Sequence, residues 1–144
     1  MIRKLKACSF FGHRDTPVLI ENKLRETLIE LIEKYQVNVF YVGNQGGFDF
    51  IVHKILFELK QKYEYIKCFI VLAYMPKQDM NYKLQTILPE GIETINPKYA
   101  ISWRNKWMVM QSDYVVSYIK NSFGGAFKFY NLALAKGKNV INLA

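Results

Sequence analysis

The sequence predicts an α/β fold, a Rossmann-like three-layer sandwich with a mainly parallel five-stranded sheet. Short apolar runs rich in β-branched and aromatic residues alternate with longer stretches of helical period along the whole chain. The most continuous apolar run, residues 66–74, fits a central parallel strand covered by helices on both faces. A strand–helix series with right-handed crossovers closes most economically as a parallel sheet between two helical layers.

The elements follow in order. Residues 6–11 form an apolar run ending at Gly12, a buried strand leading into a loop. Ile20, Leu24, Leu28, Leu31, Ile32 and Tyr35 then recur at spacings that give an amphipathic helix introduced by Pro17. Residues 37–42 make a second strand stopped by Gly43, and Phe48, Ile51, Val52, Ile55 and Leu59 resume the helical period. The third strand, 66–74, ends before Pro76. Residues 77–97 are polar, carry Pro89, Gly91 and Pro97 and have no clear period, so they are expected to be irregular, a candidate lid or substrate loop. A third helix is expected around 101–111, a fourth strand at 114–119, a fourth helix at 124–136 and a fifth strand at 139–143.

The 144 residues suit a single domain spanning 1–144. With 51% hydrophobic and 22% charged residues the composition is that of a globular protein, which excludes a disordered chain. No apolar run approaches the ~18–20 residues of a membrane span, so no membrane partner is expected. The basic start runs into Gly12, His13, Arg14 and Asp15 before a signal-peptide core could form, and a cytoplasmic location is the expectation. Cys8 and Cys68 lie far apart in apolar segments and read as buried reduced thiols; metal-ligand spacings are missing, and no metal or cofactor is expected. The net charge of +8 attracts phosphates. The cations are scattered along the chain, so a dedicated nucleic-acid surface is not expected.

In such sheets ligands sit outside the carboxyl ends of the strands, near the point where strand order reverses. After the first strand come Gly12, His13 and Arg14; after the second, Gly43, Gly46, Gly47 and Asp49; after the fourth, Gly124 and Gly125. Gly46-Gly47 and Gly124-Gly125 each open a helix, where backbone amides and the helix dipole favour an anion, although glycine pairs also simply make tight turns. Arg14 can grip a phosphate or carboxylate through two parallel hydrogen bonds. His13 is a candidate acid or base, or a structural hydrogen-bonding residue, and His53 reads as ordinary helix surface. Neither G-x-x-x-x-G-K-[ST] nor G-x-G-x-x-G occurs, which argues against a phosphate-loop NTPase and a standard dinucleotide dehydrogenase.

The set Phe11-Gly12-His13-Arg14, Gly43-x-x-Gly46-Gly47-Phe48-Asp49, Arg104 to Met108, Asp113 and Gly124-Gly125-Ala126 resembles the SMF/DprA-LOG (SLOG) superfamily of Rossmann-like domains, closest to its short YpsA-like branch. That resemblance implies a nucleotide or nucleotide-derived ligand, ADP-ribose-like, across the glycine-rich rim, with Arg104 leaning over the crevice from near the start of the third helix. The LOG enzymes cleave the N-glycosidic bond of nucleoside monophosphates. Arg104, Met108 and Asp113 match their R-x-x-x-M-x-x-x-x-D pattern, and Gly124-Gly125 match the paired glycines of P-G-G-x-G-T-x-x-E. Phe123 replaces its proline, Phe127 and Lys128 its glycine and threonine, and Asn131 its catalytic glutamate.

Departure of a base leaves an oxocarbenium-like sugar that a nearby anion must stabilise or an activated water must trap, and asparagine does neither well. Asp49 is the substitute if it faces the crevice; otherwise it is an acid in a helix's first turn. Trp107 and Met108 are expected to be packing residues and Asp113 structural. The leading expectation is therefore nucleotide binding by Gly12, Arg14, Gly43, Gly46, Gly47, Arg104, Gly124 and Gly125. A nucleotide N-glycosidase using His13 or Asp49 is the alternative, and a nucleic-acid module comes third. Phe127, Phe129 and Tyr130 exceed one buried stripe on the fourth helix, which suggests a homo-oligomer.

Overall fold

The structure, a computed structural model, describes residues 4–75 and 82–144. The chain runs β1 (Ala7–Gly12), α1 (Glu21–Glu33), β2 (Val39–Val42), α2 (Gly46–Lys62), β3 (Lys67–Val71), β4 (Gln85–Ile87), α3 (Pro97–Gln111), β5 (Tyr114–Tyr118), α4 (Gly125–Ala135) and β6 (Asn139–Asn142). The strands form one sheet in the order β4-β3-β2-β1-β5-β6, and every neighbouring pair is parallel. The Rossmann-like α/β expectation holds, with six strands rather than five.

Adjacent residues of a strand face opposite sides of the sheet, and β1 shows how this builds two cores. Phe10 packs with α1 and α2 residues such as Leu24, Leu28, Phe48 and Val52. Its neighbour Phe11 packs with Met108 and Val109 of α3 and Phe129 and Ala133 of α4. Phe10 stacks on Phe40, and Phe11 stacks on Phe129. Helices thus cover both faces, which is why the inner strands read as continuous apolar runs rather than alternating ones.

The strand missed by sequence reading is β4, in the tract expected to be irregular. It has three residues, Gln85, Thr86 and Ile87, none buried, and sits at the sheet edge, where pairing to β3 places it without any apolar pattern. Pro76 and the residues up to 81 lie outside the described residues. α3 begins at Pro97, a full turn before the expected 101: the Asn96 side chain accepts a hydrogen bond from the Lys98 amide at 2.9 Å, and proline occupies the first helical position. The predicted third strand overran the paired residues, since Leu72 to Tyr74 lie beyond β3.

Among the described residues no helix is long and apolar enough to cross a membrane. Both cysteines are buried and free, and burial pushes the Cys68 thiol up to about 12. The chain passes from β1 through β2 and β3 to β4 on one side, then returns through α3 to β5 on the other side of β1. Strand order therefore reverses between β1 and β5, whose carboxyl ends lie side by side with Gly12 opposite Tyr118.

Candidate functional site

At this reversal point the loops after β1, β2 and β5 surround a cavity of about 330 Å³. Gly12, His13 and Arg14 line it from β1, and Gly43, Gln45 and Asp49 from the β2–α2 turn. Gly124, Gly125 and Ala126 close it from the start of α4, while Ile101, Arg104 and Asn105 reach it from α3. Six of the eight expected ligand-binding residues share this lining. Gly46 and Gly47 do not.

The start of α2 shows why. The Gly47 amide donates to the Arg14 carbonyl at 2.9 Å, so it is not free for an anion. A Cβ on Gly47 would stand 2.3 Å from that same carbonyl oxygen, and a Cβ on Gly12 would stand 2.3 Å from Cγ of Phe48. These glycines let helix and strand loop touch directly, and Gly47 spends its amide on that contact. Gln45, at the cap of α2, donates its own amide to Oδ2 of Asp49 at 3.0 Å, which closes the other end of the turn.

The start of α4 is different. Gly124 takes φ +95°, a conformation open to glycine, and no side chain caps the helix. The first turn holds no acidic residue, and a Cβ on Gly124 or Gly125 would meet nothing within 4 Å. Among the described residues no group accepts from the amides of Gly125, Ala126 or Phe127. These N–H groups have the positive end of the helix dipole behind them, the arrangement that favours an anion, and Gly125 and Ala126 line the cavity. Arg14 is exposed on the rim of the same cavity, its side chain passing close to Gly46 at the start of α2.

The opposite wall carries Asp49 and Arg104 with Gly43 between them. A Cβ on Gly43 would lie 2.9 Å from Asp49 Oδ2, close enough to displace the carboxylate, and 3.4 Å from Arg104 Cζ, an ordinary contact. Burial pushes the Asp49 carboxyl up to about 6, against the pull of the Gln45 amide and the Arg104 charge. Arg104 is only 1% exposed. Its Nη1 donates to the Val71 carbonyl at 2.8 Å and to Asn44 Oδ1 at 3.2 Å, and its Nε donates to Asn105 Oδ1 at 2.8 Å. Burial lowers its pKa while the charge of Asp49 raises it. The residue expected to lean over the crevice from the start of its helix is therefore mid-helix and sunk into the wall, held by the carbonyl at the end of β3.

Of the two histidines, His13 takes the structural hydrogen-bonding role and His53 departs from expectation. His13 Nε2 accepts from the Lys120 amide at 2.9 Å and the Asn121 amide at 3.2 Å, which assigns its proton to Nδ1. The ring ties the loop after β5 to the end of β1, and Nε2 is not available as an acid or base. His53 is not free helix surface: its Nε2 lies 2.7 Å from the Gly43 carbonyl, and burial lowers its pKa. It stands four residues after Asp49 on the same face of α2, and that spacing was the overlooked signal. Asn44 and Asn105, which orient Arg104, were also missed.

Asn131, the expected counterpart of the LOG glutamate, is exposed on α4 and does not line the cavity. Asp113 accepts from the Ala7 amide at 3.0 Å at the amino edge of the sheet, a structural role as expected. Met108 is buried, and Trp107 packs edge-on to Tyr41. Phe129 is buried against Phe11, which removes it from any intersubunit face, while Phe127 and Tyr130 stack on each other half-buried. No group of three His, Cys, Asp or Glu side chains placed to hold a metal occurs among the described residues.

No protein-family model and no curated protein matches the chain. Its fold is similar to that of the Moco carrier protein from Chlamydomonas reinhardtii. The two share 15% identity at a TM-score of 0.54, over 95% of this chain and 75% of the other. At that identity the likeness shows the Rossmann-like arrangement alone.

Proposed function

We propose that the cavity binds a nucleotide or nucleotide-derived ligand, with a phosphate seated on the free amides at the start of α4 and Arg14 closing over it. The observation that carries this reading is the unoccupied hydrogen-bonding capacity of that helix terminus where it faces a cavity at the strand-order reversal. The net charge of +8 draws anions toward it. A volume of about 330 Å³ is near the lower end of the ~300–1,000 Å³ of small-molecule sites. It suits one nucleotide unit, and the second half of an ADP-ribose-like ligand would extend past the rim. The resemblance to the SLOG superfamily supports the same ligand class, and the similar fold of a protein named as a carrier of Moco is in keeping with a ligand-holding role.

A nucleotide panel followed by thermal unfolding tests the reading. A ligand at one hundred times its dissociation constant adds about 2.7 kcal/mol to stability, so at least one nucleotide at millimolar concentration should raise the midpoint. Arg14→Ala, at an exposed side chain, should leave the unliganded midpoint unchanged and weaken the bound nucleotide about tenfold, the loss of a charge-assisted hydrogen bond. No shift with any nucleotide removes the proposal.

Asp49 supports a second reading, a nucleotide N-glycosidase. A carboxyl buried on the cavity wall, its pKa pushed up to about 6 by burial, is suited to protonate a departing base. Chromatography of nucleoside monophosphates and NAD incubated with the protein should then reveal free base, and Asp49→Asn should abolish its release. Equal release by the variant, or none by either protein, dismisses the enzyme and leaves the binding reading standing.

A further inference from the structure

The wall opposite the phosphate site holds two buried charged side chains whose hydrogen-bonding capacity is only partly used. Asp49 Oδ2 takes the Gln45 amide, and Oδ1 makes no hydrogen bond to a described residue. Arg104 commits Nε and Nη1 to Asn105, Val71 and Asn44, and Nη2 makes no hydrogen bond to a described residue. Asp49 is 9% and Arg104 1% exposed, and both line the cavity. Both groups therefore keep hydrogen-bonding capacity that an occupant of the cavity can use.

Each side chain restricts what can do so. An ionised carboxylate only accepts, and its two oxygens best accommodate two adjacent N–H groups; a guanidinium only donates, and needs an acceptor beside them. Gly43 lies against both side chains, and a ligand edge that pairs with the two in turn reads donor, donor, acceptor. Guanine presents that order along its Watson–Crick edge through its 2-amino group, ring N1–H and O6. Adenine offers one donor beside one acceptor, and hypoxanthine lacks the amino group. Resting on the nucleotide-binding reading above, we infer that Asp49 and Arg104 select a guanine-type base, the carboxylate accepting from N1–H and the 2-amino group while Arg104 Nη2 donates to O6. The phosphate on the α4 amides and the base on Asp49 and Arg104 then occupy opposite walls of one cavity.

Calorimetric titration of the full chain with GMP, IMP and AMP at pH 7.5 tests this. GMP should bind at least tenfold more tightly than AMP, with IMP between them because it loses one hydrogen bond to a charged acceptor. GMP and AMP both binding with less than a tenfold difference overturns the base assignment and leaves the nucleotide reading intact, whereas no binding of any of the three overturns both. Asp49→Asn should bring GMP down to the affinity of AMP. A folded variant that keeps the GMP preference overturns the assignment to Asp49. The wild-type comparison stands by itself should the variant fail to fold.

Discussion

Asp49→Asn is expected to melt at a higher temperature than the native chain at pH 7.5, and most of the difference is expected to vanish near pH 4. Burial raises the Asp49 carboxyl from 3.8 to about 6, so between those values the folded chain holds a proton that the unfolded chain has lost. The contribution of this group to stability is therefore complete below 3.8 and is lost as pH rises through about 6. Each pKa unit corresponds to about 1.4 kcal/mol, so ionised Asp49 costs the fold up to about 3 kcal/mol at neutral pH. Asparagine keeps an oxygen for the Gln45 amide and carries no charge. In a chain of this size the gain amounts to roughly 5–10 °C in scanning calorimetry. His53, with its lowered pKa, acts in the opposite sense, losing stability as pH falls from its unfolded value. It is common to both proteins and cancels in the comparison. A lower midpoint for the variant at pH 7.5 would mean that Arg104 stabilises the carboxylate by more than burial penalises it.

The same substitution should weaken guanine nucleotides, so stability and binding move in opposite directions at one residue. A carboxylate held ionised against its surroundings is the usual mark of a functional site, where a stability–activity trade-off is tolerated. A residue retained only to cap α2 would not show this opposition, because asparagine serves as a cap acceptor equally well.

The rim of the cavity was legible in the sequence because glycine follows each of its strands: Gly12 ends the β1 run, Gly43 stops β2, and Gly124 lies a few residues beyond β5, at the start of α4. Which amides remain free was not legible. The Gly47 amide is taken by the Arg14 carbonyl, a partner supplied by a different loop, while the amide of Gly125 finds none among the described residues. Arg104 shows the limit most sharply. A long cation in a helix reads as solvent-facing, and only the assembled sheet brings the Val71 carbonyl and the Asn44 side chain to its guanidinium. β4 was invisible for a related reason: its position is fixed by hydrogen bonds to β3, and its side chains carry no burial pattern.

Gly47→Ala should be the most damaging of the glycine substitutions at the site, costing about 3 kcal/mol or more. The added methyl would lie 2.3 Å from the Arg14 carbonyl oxygen. That oxygen belongs to the backbone of a turn held by the Thr16 hydroxyl, which donates to the His13 carbonyl at 2.6 Å, and by the Gly47 amide itself. The clash can be relieved only by moving α2 away from the loop. That breaks the Gly47 hydrogen bond and opens the contact between Phe48 and Gly12, which compounds the ~1–3 kcal/mol usual for overpacking. Gly125→Ala is the matched control. A Cβ there meets nothing within 4 Å, and the residue lies in the first turn of α4. Its stability should be unchanged or raised by up to ~1 kcal/mol through a less flexible unfolded chain. The methyl stands where the bound phosphate would approach, so affinity for a nucleotide should fall while the fold holds. Denaturant unfolding of the two variants then separates the glycine that builds the wall from the glycine that faces the ligand. Equal stability losses at both positions would mean that the start of α4 is also engaged by the protein and is not an open anion site.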